Sequence, residues 1–289
     1  MEATFYIGAL ELHLEEGVIT HFQDLDETFL TQAMPAAKRA VITAGPVDEL
    51  DIPEGPFRTL GTRRVWNQNG KEYRLYNPEY GMPYIMSIRD GMNVHIQILR
   101  DRWYRCHNSM RPWFHTHIEE LLLENDALIL HSAGIIVNGR AILFSAPSGT
   151  GKTTQTDLWH RYAKDEVIDL NGDRAVLQKT ADGWMACGFP IYGSVKRCNQ
   201  CAVPIESIVM IRQSPTDRVS EMSDMEKFSQ LYSQVTVPSA DVNYTMRAMD
   251  LLEEMTRNVR IIQLDCTMNE SAVRTLEHYL YGESNHGTL

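Results

Sequence analysis

Long apolar runs are missing from this chain of 289 residues. That excludes a membrane-spanning helix, which needs about 20 consecutive apolar residues. Runs of Lys and Arg are missing too, and the net charge is −11. Nucleic acids and anionic membrane surfaces are held mainly through clustered cations, so neither partner is expected. Cysteine is scarce: five in the whole chain, an odd number without framework spacing. Such usage points to a reducing compartment rather than a disulfide scaffold. Cys198 and Cys201 form the one close pair; with no second Cys or His pair at matching distance they read as ordinary thiols near a turn. The first residues, Met1 to Tyr6, carry no basic n-region, so no signal peptide and a cytoplasmic location are expected. There is no internal repeat and no low-complexity stretch. The length admits one large domain or two ordinary ones, and the apolar content is near the globular average, so a buried core is expected.

What the chain does have is Ala146-Pro-Ser-Gly-Thr-Gly-Lys-Thr-Thr154. This fits the phosphate-binding pattern G-x-x-x-x-G-K-[ST], with alanine at the first position. Glycines at 149 and 151 let the backbone curl so that its N–H groups point inward at phosphate oxygens. Lys152 places an ammonium among the β- and γ-phosphates, and the Thr153 hydroxyl is a Mg²⁺ ligand. Ser148, Gly149, Thr150, Gly151, Lys152, Thr153 and Thr154 are therefore the expected nucleotide contacts. The context rule is a strand before and a helix after. Ala141 to Phe144 is an apolar run, and Gln155 to Tyr162 reads as a helix that turns its N-terminus toward the same anion.

The strand leading in carries a second signal. Ala133 to Val137 and Arg140 to Phe144 are separated by Asn138-Gly139. An Asn-Gly pair between apolar runs predicts a two-residue hairpin, because both turn positions need positive φ. The strand feeding the loop should then pair antiparallel with the one before it. That argues against a GTPase, an ATPase motor or a nucleoside-monophosphate kinase, which reach this loop through parallel βαβ units.

The rest of the chain follows in order. Residues 2 to 22 read as two strands around Glu15-Glu16-Gly17, Glu27 to Ala40 as weakly helical, and 45 to 56 as loop-like with three prolines. Strands are expected at 62–67, 72–76, 83–88 and 93–99, with Asn69-Gly70 as a turn, giving a β-rich, meandering region 1–111. Pro112 opens a helix through Ile118 to Glu124; His115 and His117, two apart, do not share a helix face and read as surface or capping residues. Ala127 to His131 is a strand ahead of the hairpin. Ser223 to Glu226 is a capping box, Asp241 to Thr256 an amphipathic helix whose methionines read as core, 259–265 the last strand, and 269–281 the closing helix. A phosphoryl-transfer site needs a carboxylate near the loop, for Mg²⁺ or for the proton of the nucleophile, and Asp173 in Leu170-Asn-Gly-Asp-Arg174 is the natural candidate.

The stretch His131 to Thr154, together with Asp173-Arg174, resembles the core of the HPr serine kinase/phosphorylase group. It is most similar to the shorter HPr-kinase-like proteins, some of them found in peptide-maturation clusters. The resemblance spans roughly Ile118 to Leu280, is specific around the loop and is loose after Pro204. It implies an α/β fold with a mixed sheet: the P-loop core shared with phosphoenolpyruvate carboxykinase in 112–289, with the β-rich region 1–111 left for substrate selection. It also implies oligomers. His131 would lie near the γ-phosphate and support the catalytic carboxylate; the residues alone equally allow a strand-end histidine hydrogen-bonded in the core. The group carries two adjacent aspartates where this chain has Gly172-Asp173, so Asp173 must serve both roles or Asp169 must substitute. By the same resemblance Lys196, and after it Arg197, would face the phosphates from the loop that follows Gly188.

Three functions are thus in view. The first is an ATP- and Mg²⁺-dependent kinase that phosphorylates a hydroxyl on a small molecule or on a serine-containing peptide or protein, with Asp173, His131, Lys196 and Arg197 as catalytic residues and Thr153 and Asp173 as metal ligands. The second is a non-catalytic nucleotide-sensing module, favoured by Gly172. The third is a carboxykinase-type lyase, for which the chain is short and lacks a convincing set of Mn²⁺ ligands.

Overall fold

The computed structural model describes residues 3–14, 38–60, 63–76, 84–103, 117–189, 197–238 and 241–282. These form a mixed α/β architecture, mostly strands, with two mixed sheets. No helix among the described residues is long and apolar enough to cross a membrane. The chain divides into two compact units: residues 1–128 with 237–248, and residues 129–236 with 249–289.

The first unit is built on one sheet of eight described strands: β1 (Ala3–Ile7), β2 (Leu10–Leu14), β3 (Lys38–Val47), β4 (Arg58–Leu60), β5 (Arg63–Gln68), β6 (Lys71–Tyr76), β7 (Ile85–Asp90) and β8 (Asn93–Leu99). Their order is β1-β2-β3-β8-β7-β6-β5-β4. The meander β4 to β8 is antiparallel, as the alternation predicts, and Asn69 and Gly70 take the positive φ expected of its turn. Three expectations meet the structure only in part here. The N-terminal turn lies at Gly8-Ala9, where Gly8 has φ 57°, so the run up to Leu14 already holds both strands; residues 15–20 lie outside the described set. Of the expected helix 27–40, residues 38–40 belong to β3 and 27–37 are outside the described set; of the expected loop 45–56, residues 45–47 belong to β3 and 48–56 form no helix or strand, as expected. β3 is parallel to both β2 and β8 and buries Ala40 and Ile42. Pro46 is tolerated because β2 stops pairing at Ile42, so its missing N–H falls on an edge among the described residues.

Helices α1 (Arg100–Trp103) and α2 (Ile118–Leu123) complete the first unit. Pro112 and His115 lie outside the described residues. His117 does stand at the N-cap of α2, with φ 55°, but it is not a surface residue. It is buried, with Nε2 2.9 Å from Ser87 Oγ. Beside it Arg74 is buried between Glu72 and Glu120, at 2.5 and 2.6 Å. Burial opposes the Arg74 charge, yet the two carboxylates outweigh it and raise the pKa.

The second unit contains β9 (Ala127–Val137, from Ile129 on), β10 (Arg140–Ser145), α3 (Lys152–Tyr162), β11 (Val167–Asn171), β12 (Arg174–Thr180), β13 (Gly183–Cys187), β14 (Ala202–Gln213), β15 (Arg218–Glu221), α4 (Asp224–Gln234) and β16 (Val235–Thr236). It ends with α5 (Val242–Asn258, from Met249 on), β17 (Ile261–Cys266) and α6 (Glu270–Tyr281). The pairings β10-β9-β12-β13-β14 close on themselves, because β14 also pairs with β10. Helices α3 and α6 pack Leu158, Trp159, Ala272, Val273 and Leu276 against Ile142, Phe144, Val209, Ile262 and Leu264 of the strands. Ser223 and Glu226 form the expected capping box at the start of α4. The methionines of α5 do not all reach the core: Met255 is buried, whereas Met246 and Met249 are exposed.

Candidate functional site

The hairpin that carries the site forms as the Asn-Gly pair requires. Asn138 and Gly139 have φ 51° and 73°, and β10 pairs antiparallel with β9 from Arg140↔Val137 to Ser145↔Ser132. On its other side β10 is parallel to β14. Gly134 of β9 is where β10 and β11 close in; a Cβ there would meet Leu143 Cδ2 at 2.8 Å and Leu170 Cδ2 at 3.0 Å. This close approach fixes β11, and hence the turn that follows it, against the strand that feeds the loop.

The glycine-rich loop leaves β10 at Ala146. That residue needs no glycine: its methyl packs in the core with Phe144 and Trp159. Positive φ is required only at Gly149 (80°) and Gly151 (109°), the latter serving as N-cap of α3. Thr150 closes the turn by donating its hydroxyl to Pro147 O at 2.8 Å, and Gln213 at the end of β14 donates to Thr150 O at 3.2 Å. Gln155 anchors the first turn of α3 to the end of β17 by donating to Cys266 Sγ and Thr267 O. The Thr150 N–H also turns back to Pro147 O at 3.3 Å, and the N-terminus of α3 follows the loop, where the dipole favours an anion.

Lys152 is 8 % exposed. Its Nζ donates to Ala146 O at 2.8 Å and Pro147 O at 3.3 Å, both neutral acceptors. Burial pushes its pKa down, and the negative charge of Asp173 pulls it partly back. A buried ammonium satisfied only by carbonyls is a site prepared for an anion.

Asp173 comes from the turn between β11 and β12. The buried Asn171 shapes that turn: its side-chain oxygen accepts from Asp173 N at 2.9 Å and Arg174 N at 2.6 Å, and its amide donates to Phe189 O. The Gly172 N–H donates to Arg197 O at 2.9 Å. Asp173 Oδ1 lies 3.4 Å from His131 Nε2, and Oδ2 lies 3.3 Å from Arg174 Nε. The hydrogen bond from His131 lowers the Asp173 pKa; burial opposes this, and the charges of Arg174, His131 and Lys152 add to it. Asp173 is therefore ionised across the physiological range.

One cavity of about 340 Å³ gathers these parts. Its lining is His131, Ser148, Gly149, Gly151, Lys152, Thr153, Thr154, Gly172 and Asp173. Of the nucleotide contacts expected from sequence, only Thr150 is outside the lining. Lys196 lies outside the described residues. The Arg197 guanidinium does not line the cavity; it lies 2.7 Å from Asp157 Oδ1 and 3.6 Å from Asp169 Oδ2. Asp169 is also 2.8 Å from His160 and does not line the cavity, so it offers no replacement for the carboxylate absent at Gly172. Sequence reasoning missed Asn171 and Arg174 as the residues that hold Asp173; the signal for the first was an asparagine opening an Asn-Gly turn, whose side chain readily bonds the backbone two residues on. Among the described residues no group of three or more His, Cys, Asp or Glu is placed to hold a metal alone. Mg²⁺ bound with a nucleotide needs only one or two protein ligands. No protein-family model matches the chain, and no curated protein matches it.

Proposed function

We propose that the chain is an ATP-dependent kinase that transfers the γ-phosphoryl group to a hydroxyl, on an HPr-kinase-like P-loop core. The observation that carries this reading is the shared cavity: a loop and helix N-terminus suited to phosphate, with the Asp173–His131 pair facing the same space. An anionic carboxylate would repel bare phosphate, so its place there is explained by a bridging metal, as phosphoryl-transfer sites use it.

The residues present fit both groups. The N–H groups of 149 and 151–154 and the buried Lys152 ammonium would hold the triphosphate, exchanging the lysine's bonds to Ala146 O and Pro147 O for phosphate oxygens. Thr153 and Asp173 would hold Mg²⁺, which when bound supplies positive charge to the β- and γ-oxygens. Asp173, depressed in pKa, is a good ligand and a weak base. It can still orient the acceptor hydroxyl and take its proton late, because the transition state is loose and demands little from a base. His131 keeps the carboxylate in place. The acceptor in this reading is a small-molecule alcohol or a serine in a polypeptide.

The test is purified chain with Mg²⁺ and γ-labelled ATP against serine, sugars, inositols, nucleosides and serine-containing peptides. Label should move to one class of acceptor and not move with Lys152→Ala. The second reading, a nucleotide sensor, is favoured by Gly172; it predicts tight ATP binding with no transfer to any acceptor.

A further inference from the structure

Helix α4 is poorly buried for its composition. Of its eleven residues only Leu231 is buried. Met225, Phe228 and Tyr232, spaced i, i+3 and i+7, form an apolar stripe of the kind that normally faces a core. Here Met225 is 78 % exposed and Tyr232 42 % exposed, with Phe228 and Tyr232 stacked at 6.2 Å between ring centroids. A helix this short is marginal by itself, so an unpacked stripe along it is a feature to be explained.

The stripe borders a groove of about 430 Å³, within the range of ligand-sized clefts. Across it stands the C-terminal part of α5, which contributes Met249, 42 % exposed, and the Thr256 turn. Every lining residue belongs to the second unit. Methionine side chains adapt to varied apolar partners. The charged members of the lining are unbalanced: Asp224, Asp250 and Glu253 against the single Arg257, which is already paired with Glu253. Lys227 is 3.4 Å from Asp224, and Asp250 makes no ion pair among the described residues.

We propose that this α4–α5 groove docks a short segment of a partner polypeptide in which a large apolar side chain lies within one helical turn of a Lys or Arg. The apolar side chain fills the space between Met225, Phe228 and Met249, and the cation meets Asp250. Charge complementarity selects this occupant. A second copy of the chain, at −11, would bring like charge toward the acidic rim. The docking rests on the groove alone; that the docked polypeptide is the phosphoryl acceptor rests on the kinase reading.

The experiment is selection of a phage-displayed random 12-residue peptide library on the purified full chain. Fluorescence anisotropy of the enriched peptides, fluorescein-labelled and without ATP, then follows. Enrichment of Leu, Met or Phe within four residues of Lys or Arg is expected. Affinity should fall at least tenfold for Met225→Ser/Met249→Ser and for Asp250→Lys, and should be unchanged in Lys152→Ala. These are exposed positions, so circular dichroism should match the parent. Three results would overturn the proposal: no enriched motif, peptides chosen for positive charge alone and bound equally by the methionine variant, or a concentration-dependent dimer that the methionine variant dissolves. The two readings fail separately. Motif peptides that bind in the groove yet never accept label contradict the acceptor role and leave the docking intact.

Discussion

Replacing Lys152 by methionine should stabilise the nucleotide-free protein and abolish its response to ATP. The ammonium is buried, donates to two neutral carbonyls and has no ion pair among the described residues. Its pKa is lowered by burial. A lysine whose folded pKa lies below its unfolded value is more easily charged in the unfolded chain. It therefore subtracts stability in full below the folded pKa, and the deficit fades as pH rises toward the unfolded value near 10.4. Desolvating such an ion costs several kcal/mol, while each charged hydrogen bond returns about 1.5–3 kcal/mol. Methionine, similar in volume, removes both terms, and a net gain of about 1–2 kcal/mol is expected, in line with other buried charges replaced by apolar groups. For a protein of this size that raises Tm by roughly 2–3 °C. Mg²⁺–ATP at a hundred times its Kd should stabilise the parent by about 2.7 kcal/mol and leave Lys152→Met unmoved. Differential scanning calorimetry with and without Mg²⁺–ATP reads both effects. A variant several degrees less stable that keeps the full ATP shift would refute the reasoning, because Lys152 would then be a structural residue.

Three further outcomes are expected. Asp173→Asn should retain ATP binding in titration calorimetry without Mg²⁺ and lose at least about a hundredfold in kcat, the scale of a positioned charge in an active site; and since the parent Asp173 pKa is depressed, its contribution to stability is complete above the unfolded value near 3.9 and fades only as pH falls through the lower folded value. Gly134→Ala should destabilise by about 1–3 kcal/mol in urea unfolding, because its methyl must displace buried Leu143 and Leu170. Glu120→Leu should cost about 1.5–3 kcal/mol, the scale of one hydrogen bond to a charged group, because Arg74 keeps Glu72, and adding Arg74→Met should recover much of that loss in a double-mutant cycle.

Local chemistry made parts of the structure readable from sequence. Asn138-Gly139, Asn69-Gly70 and the Ser223 capping box each depend on a few adjacent residues, and each forms as expected. The loop from Ala146 to Thr154 was legible for the same reason, as was the mixed character of the sheet through the antiparallel β9–β10 pairing. Long-range pairing was not legible. β3 carries Gly45-Pro46 and reads locally as loop, yet the neighbouring strands β2 and β8 supply parallel partners that no local signal announces. His117 has no pattern that marks it as buried; Ser87, 30 positions earlier, supplies its partner. Arg197 shows the same limit within the site. The resemblance put it, after Lys196, beside the phosphates, whereas its guanidinium pairs with Asp157 and Asp169 and does not line the cavity.

The cavity shared by the glycine-rich loop and Asp173 is the feature on which the proposed kinase activity depends. A crystal structure with Mg²⁺ and a non-hydrolysable ATP analogue tests it. The prediction is triphosphate density along residues 148–154, Lys152 Nζ moved from Ala146 O to a phosphate oxygen, and the metal coordinated by Thr153 Oγ1 and Asp173. An analogue bound elsewhere, or a metal on the phosphates with Asp173 still engaged only by His131 and Arg174, would contradict it.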